Sequence, residues 1–442
     1  MRDLIVATIV FGLLPFILKR PFWGVLLSTW LGYMNPHRLC YGFMYTMPVV
    51  YIVAITTLLG MLFSREAKRI VWSREIIVLV LFIAWMGITT TQAIYLEPAW
   101  DQYIKVLKIQ VLTFMALMLL TSRERVHMFV VAIALSLAFY GLKGGIFTVI
   151  HGGVYRVQGP DGTFIGGNNE LALALVMTIP LLRYLQLQET KRIRKLGLAA
   201  LMILSAIAAV GSQSRGALVG LSLMGVMFWL KSRNRFFTAA LIALSTVVIA
   251  SLMPEQWYQR MDTIDSYQQD DSALGRINAW GMAWNMAKHR FFGGGFDSFR
   301  EGTFALYAPD PTNVHDSHSI YFGTLGHHGF IGLALFLTLL ALTWRKCSAT
   351  IRFAKNRPEL TWARDLSAMM QVTLIGYMSA GAFLGLMYFD YLYHLIALSV
   401  VVNDMVRRST PVEVNKASPP TPSTHKVLAH PARTVVQGST VR

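Results

Sequence analysis

The sequence predicts an all-α polytopic membrane protein of about 12 transmembrane helices, with one long helical loop on the extracytoplasmic side. Three observations predict it. The 442 residues are 54% hydrophobic and only 14% charged, against roughly half apolar and about a quarter charged in soluble proteins. Apolar runs of about 17–25 residues, long enough to cross a bilayer as helices, recur from end to end. The basic residues cluster in alternate connections between those runs.

The elements follow in order. The first 36 residues hold two short apolar stretches, 4–18 and 21–34, split by Lys19, Arg20 and Pro21. They read as two short spans or one broken span. A small-residue cleavage site does not follow the first stretch, so no cleavable signal peptide is expected. Further runs lie at 43–63, 76–94, 106–121, 127–150, 170–187, 196–213, 217–230, 236–253, 318–343, 366–386 and 388–406.

The charges orient these spans. Arg65, Lys68, Arg69 and Arg74 fill the 64–75 connection, and Arg123 and Arg125 the next basic one. Lys191, Arg192, Arg194 and Lys195 follow, then Lys231, Arg233 and Arg235, then a basic stretch at 344–365 and a basic tail. Such loops stay in the cytoplasm, which places the C-terminus there and the intervening loops in the periplasm or at the cell exterior. A net charge of +17 also suits a nucleic-acid binder, but that footprint gathers on one face or domain. Here it is dispersed over alternate loops, so no nucleic-acid partner is expected. Residues 1–406 form one transmembrane domain. The Pro-, Ser- and Thr-rich segment 407–442 reads as a disordered basic cytoplasmic tail. Cys40 and Cys347 should lie near opposite membrane faces, which argues against a disulfide between them.

Among the outward loops, 95–105 is short and acidic, 151–169 is Gly-rich, and 254–317 is long. The long loop is net negative, opposite to the whole chain, and a connection of that length is rarely only a connector. Within it, 272–290 predicts a helix. Asp271 or Ser272 can cap it, and Ile277, Trp280, Ala283, Trp284 and Ala287 give it an apolar stripe. Gly293-Gly294-Gly295 follows, read as a loop turn or as backbone amides aimed at an anion.

Chemistry-bearing residues concentrate nearby. In His315-Asp316-Ser317-His318 the histidines are i,i+3 and share a face if the next helix starts that early. A metal site, a general base acting on a hydroxyl, and hydrogen-bonded structural histidines all fit this cluster. No HExxH-type signature is present. Planar guanidinium groups suit bidentate phosphate binding. Arg156, Arg215 and Arg276 on the outer side would suit a diphosphate, with Asn168 opening the span after Arg156. Carboxylates inside the spans are few, with Asp390 placed in the turn between the last two helices and Asp404 near the cytoplasmic end. Internal repeats are lacking, which weighs against a carrier or flippase. Walker, Rossmann and kinase signatures are absent.

Three motifs in order resemble the O-antigen ligase and polymerase superfamily of bacterial envelopes. The first is Ser214-Arg215-Gly216-Ala217 opening a span. The second is Arg276, Trp280 and Ala283, then Phe292-Gly293-Gly294-Gly295 and Phe299, in the long loop. The third is His318, Tyr321, Leu325, Gly329 and Ile331-Gly332-Leu333 entering the next span. Met1-Arg2-Asp3-Leu4 and Asn35-Pro36-His37-Arg38 resemble the O-glycosylation ligases of exosortase-associated loci. The chain departs from the family pattern at Ser319, where Asn is common, at His327, where Glu is common, and at Arg290, where Pro is common.

The resemblance implies a membrane-embedded glycosyltransferase of the GT-C-like type, inverting, metal-independent and without a cofactor. It implies a glycan donor on undecaprenyl diphosphate and an acceptor hydroxyl on lipid A–core oligosaccharide. Polymerases and protein O-oligosaccharyltransferases share the same fold and site. His318 would be the general base, with Arg215 and Arg276 on the diphosphate. Arg156, Asn168, His315, Trp280 and Tyr321 would bind substrate.

Overall fold

The computed structural model describes residues 1–232, 234–255, 257–258 and 271–409. Arg233, most of the first third of the net-negative 254–317 loop, and the tail from 410 lie outside the described residues.

Every expected apolar run carries a helix. In chain order these are α1 (Arg2–Lys19), α2 (Phe22–Tyr33), α3 (Val49–Phe63), α4 (Arg74–Thr91), α5 (Leu96–Leu119), α6 (Arg123–Ile150), α7 (Asn168–Gln188), α8 (Arg192–Gly211), α9 (Arg215–Lys231) and α10 (Arg235–Ser251). The long loop contributes α11 (Asp271–His289) and the short α12 (Glu301–Tyr307). The last three are α13 (Ile320–Phe353), α14 (Thr361–Ala380) and α15 (Asp390–Arg408). By length and composition, 7 helical segments among the described residues can cross a membrane: α4 to α8, α13, and α14 with its flanking turns. The other expected spans coincide with shorter or more polar helices. The protein is an all-α, polytopic membrane protein.

Burial follows helix composition. In α7 every residue from Leu171 to Leu182 is buried, and in α15 every residue from Tyr391 to Asn403. A helix that is buried all round sits at the centre of a bundle. By contrast α10 has no buried residue, so it lies at the periphery. The N-terminal segment is joined to the core through Tyr33, whose hydroxyl meets His394 Nδ1 on α15 at 2.7 Å.

Three boundaries differ from expectation for local reasons. The outward 95–105 loop is the first turns of α5. Glu97 favours the positive helix start, and Pro98 is tolerated in a first turn, where its missing amide has no helical partner. Asp390 is the first residue of α15 rather than part of a turn, and the turn is the preceding connector 381–389. His318 lies outside α13, because its φ of 41° is left-handed and Ser319 takes the cap position. His315 and His318 therefore do not share a helical face.

The bundle has two distinct ends. One gathers the connections 64–73, 120–122, 189–191 and 354–360, and the start of the tail. It is tied by Arg69 to Asp404 at 2.9 Å, Lys346 to Glu75 at 3.1 Å, and Arg125 to Glu66. This is the basic end. The opposite end gathers 92–95, 151–167, 212–214, 290–319 and 381–389. Cys40 and Cys347 are both buried and free, in different core clusters.

Candidate active site

The site end is built around the entry of α13. Gly329 interrupts that helix with φ 65° and ψ −170°. A break of this kind strips carbonyls of their helical donors, and inside a membrane each must find another. The glycine triplet supplies them: Gly294 N–H donates to Gly326 O at 2.8 Å and Gly295 N–H to His327 O at 3.0 Å. Gly293 N–H goes to Arg290 O at 2.9 Å. Contact is so close that a Cβ on Gly293, whose φ is +70°, would lie 2.7 Å from Gly326 O. The three amides are thus committed to main-chain carbonyls, which corrects the anion-cradle alternative. Arg290 secures the turn by donating to Gly293 O at 3.0 Å and Gln92 O at 2.9 Å.

The irregular segment His315–His318 runs between α11 and α13. Asn278 on α11 pins the loop before it, donating to Asp310 O and Asn313 O and accepting from Asp310 N–H at 2.8 Å. The Thr312 hydroxyl and amide both donate to the Asp310 carboxylate and hold it below the usual carboxylate range. The His315 ring packs against Gly275, one residue before Arg276. Trp280 N–H donates to Ser317 O at 2.7 Å, and its indole stacks on Phe322 with centroids 5.0 Å apart. His318 is half-buried, directly before the Ser319 cap of α13. Its Nδ1 is buried and has no hydrogen-bond partner among the described residues. A non-glycine residue held in the left-handed region carries strain of about 1–3 kcal/mol, a cost seen most often at functional positions.

The connector 381–389 joins these parts to the arginines. A Cβ on Gly385 would lie 3.5 Å from the Asp316 carboxylate and 3.8 Å from His318 Cα. Phe383 rests on Trp280, with centroids 6.2 Å apart. On its other side, Phe383 and Leu384 each lie 3.2 Å from the Cβ position of Gly216, next to Arg215. Arg215 opens α9 behind the Ser214 cap. Arg156 Nε reaches Gln213 Oε1 at 3.3 Å, and Asn168 Nδ2 donates to Ser212 O at 2.9 Å. Tyr321 O–H donates to Met378 O at 2.9 Å.

All eight sequence candidates therefore lie at the site end, in two groups bridged by the connector. His315, His318, Trp280 and Arg276 belong to the α11–α13 side. Arg156, Asn168 and Arg215 belong to the α7–α9 side. Tyr321 ties α13 to α14. Asn168 Nδ2, the Trp280 N–H and the Tyr321 O–H donate to main-chain carbonyls, so these side chains also build the site's walls. No three His, Cys, Asp or Glu side chains cluster as metal ligands would among the described residues.

Sequence reasoning missed the connector and the buried polar cluster beneath it. Tyr388 hydroxyl meets His327 Nδ1 at 2.9 Å and His328 Nε2 at 2.8 Å, while His328 Nδ1 meets Thr89 Oγ1 at 2.7 Å. One hydroxyl has one proton, so Tyr388 donates to one histidine and accepts from the other. Both histidines were visible in the sequence, but Tyr388 lies 60 positions on, with no local signal to pair them.

Two comparisons bear on this arrangement. Residues 200–337 match the O-antigen ligase family. The matched segment, less than a third of the chain, holds Arg215, Arg276, Trp280, His315, His318 and Tyr321, and it ends inside α13. Residues 1–190, with Arg156 and Asn168, match a family of unknown function, DUF5935. No match was found among curated proteins. The match supports a likeness to a family of lipid-linked glycan ligases and polymerases. The connector lies beyond the matched segment, so the candidate site draws on residues from outside it.

Proposed function

We propose that the protein is an O-antigen ligase of the bacterial inner membrane, of the exosortase-associated branch, working at the periplasmic face with its C-terminus in the cytoplasm. It transfers a glycan from undecaprenyl diphosphate to a sugar hydroxyl of lipid A–core. The match of residues 200–337 to the O-antigen ligase family carries this reading. In the proposed reaction His318 takes the proton of the acceptor hydroxyl. The acceptor oxygen forms a bond to the anomeric carbon as the bond to the diphosphate oxygen breaks. Undecaprenyl diphosphate leaves with the electron pair, and the anomeric configuration inverts. Arg215 and Arg276 hold the diphosphate and offset the charge that grows on it in the transition state. Arg156, Asn168, His315, Trp280 and Tyr321 line the substrate cleft. A lipid-linked donor needs a cleft between helices and no nucleotide fold. No cofactor is required, and activity should survive excess chelator.

The test is complementation of a deletion strain with wild-type and His318→Ala protein, each at matched expression. Wild type restores long-chain lipopolysaccharide, whereas His318→Ala leaves lipid-linked polymer unligated, a loss of about 10²–10⁴-fold for a missing general base. Full ligation by His318→Ala overturns the general-base role. A deletion strain that makes only single-unit chains identifies a polymerase instead. A normal lipopolysaccharide profile with an underglycosylated protein identifies a protein-directed transferase.

A further inference from the structure

The basic end holds a second feature, remote from the chemistry above. The corner between α1 and α2 turns at Lys19, Arg20 and Pro21, against the start of the α3–α4 connection and the first turn of α6. A cleft of about 330 Å³ opens there, lined by Lys19, Arg20, Arg65, Glu66 and Arg125. Its floor is fixed. Arg125 pairs with Glu66, donates to Leu119 O at 2.9 Å, and stacks over the Phe22 ring at 4.8 Å. Glu66 also accepts the Phe22 amide at 3.2 Å. The single carboxylate of the cleft is thereby spent on Arg125 and on the start of α2. Lys19, Arg20 and Arg65 are exposed and have no carboxylate partner among the described residues.

Three unneutralised cations around a concave, fixed floor attract a phosphate-bearing group. The surroundings say what else that group carries. Immediately beside the cations, on α1 and α3, Phe16, Leu62 and Phe63 are 63%, 75% and 80% exposed. The ligand that satisfies both surfaces has an anionic head and apolar tails. We propose that this corner binds an anionic phospholipid, with its phosphodiester head between Lys19, Arg20 and Arg65 and its acyl chains along Phe16, Leu62 and Phe63. Basic pockets between transmembrane helices on the cytoplasmic side suit such headgroups, and free inorganic phosphate would use only the polar half. The bound lipid would brace the α1–α2 corner, which the sequence leaves as two short helices.

The full chain, purified in neutral detergent, is titrated with phosphatidylglycerol or phosphatidylcholine and read by native mass spectrometry and thermal melting. Wild type should retain phosphatidylglycerol in preference to phosphatidylcholine and melt higher with it. Near a membrane surface each basic group contributes about fivefold in affinity, so Arg65→Gln should weaken retention about fivefold. The Lys19→Gln/Arg20→Gln/Arg65→Gln variant should weaken it at least about tenfold. A control with the same charge loss at the same end, Lys191→Gln/Arg192→Gln/Arg194→Gln, should bind within about twofold of wild type. Equal weakening in both triple variants, or equal retention of the two lipids, overturns the proposal. So does inorganic phosphate that displaces the lipid and raises the melting temperature as much. Arg65→Gln keeps the test valid if the triple variant fails to fold.

Discussion

The two ends of the bundle are held together by different means. At the basic end, side chains answer side chains: Glu66, Glu75 and Asp404 take Arg125, Lys346 and Arg69. At the site end, side chains mostly answer the backbone. Trp85, Asn168, Asn278, Trp280, Arg290 and Tyr321 all donate to main-chain carbonyls. The reason lies in the local chain path. The basic end consists mostly of short turns between regular helices, whose orphan groups meet water. The site end contains a broken α13, the irregular segment 314–319 and the connector 381–389. Irregular backbone taken out of water survives only where donors meet its carbonyls. The difference predicts that damage to the basic end lowers stability modestly, whereas damage to the site end lowers activity and, where it breaks the glycine clamp on α13, stability as well.

The largest effect should come from the arginines of the site end. Arg215→Ala and Arg276→Ala should each lower ligation on the order of 10²–10³-fold, the range for losing one donor to a developing anion. Arg300→Ala should change it little, because that arginine is exposed and pairs with Asp297 three residues away. Arg→Lys at 215 and 276 should recover part of the loss, since a point charge replaces the fork but not its geometry. Equal loss in all three alanine variants would make the arginines loop-folding residues and erase the contrast between the ends.

Much of this was legible in the sequence, for stated physical reasons. The spans were legible because hydropathy and length act locally, and the helix at 272–290 because its apolar stripe repeats at helical spacing. His318, Arg156, Arg215 and Arg276 could be chosen by residue type alone, and the structure brings them to one end of the bundle. Their bridge was not legible. The connector 381–389 is apolar and reads as part of two spans, and its closeness to Gly216, Trp280 and His318 is purely tertiary. The role of Gly293-Gly294-Gly295 also escaped, because it depends on a break at Gly329 that an apolar run does not announce. His318 looked like a helix residue, since its left-handed φ has no sequence signature in a histidine.

Next in size is the clamp on α13. Gly293→Ala forces a left-handed Cβ against Gly326 O and should cost about 2–3 kcal/mol of stability, read as a lower melting temperature. Unchanged melting would mean that the kink relaxes without the glycine turn. A smaller and more local effect is expected at Asn278→Leu, which strips donors from two carbonyls and the acceptor from Asp310 N–H. Orphaned groups of this kind cost about 1–3 kcal/mol, less where water reaches them. Hydrogen exchange should rise in 308–316, and ligation should fall further than the melting temperature. If the loop stays protected, Asn278 is not its anchor.

The smallest effects belong to the basic end, and they test its half of the comparison. Glu66 is 9% exposed and paired with an arginine that is 22% exposed, so Glu66→Gln should cost about 1 kcal/mol and depend on salt. Glu189 at the same end is different. It lies in the exposed α7–α8 turn, where the amides of Lys191 and Thr190, with Arg194 behind them, hold its carboxyl down to about 2 from an ordinary 4.5. A depressed carboxyl stabilises the fold by staying ionised in the native state, and that gain erodes once the unfolded chain, with its ordinary carboxyl, takes up the proton first as pH falls. The contribution is full above about 4.5 and is lost as pH falls toward about 2. Glu189→Gln should therefore melt slightly below wild type at neutral pH, and the gap should close as pH falls through that window. A gap as wide as that of Glu66→Gln would show that exposed turns at the basic end also carry stability, and that burial does not separate its ion pairs.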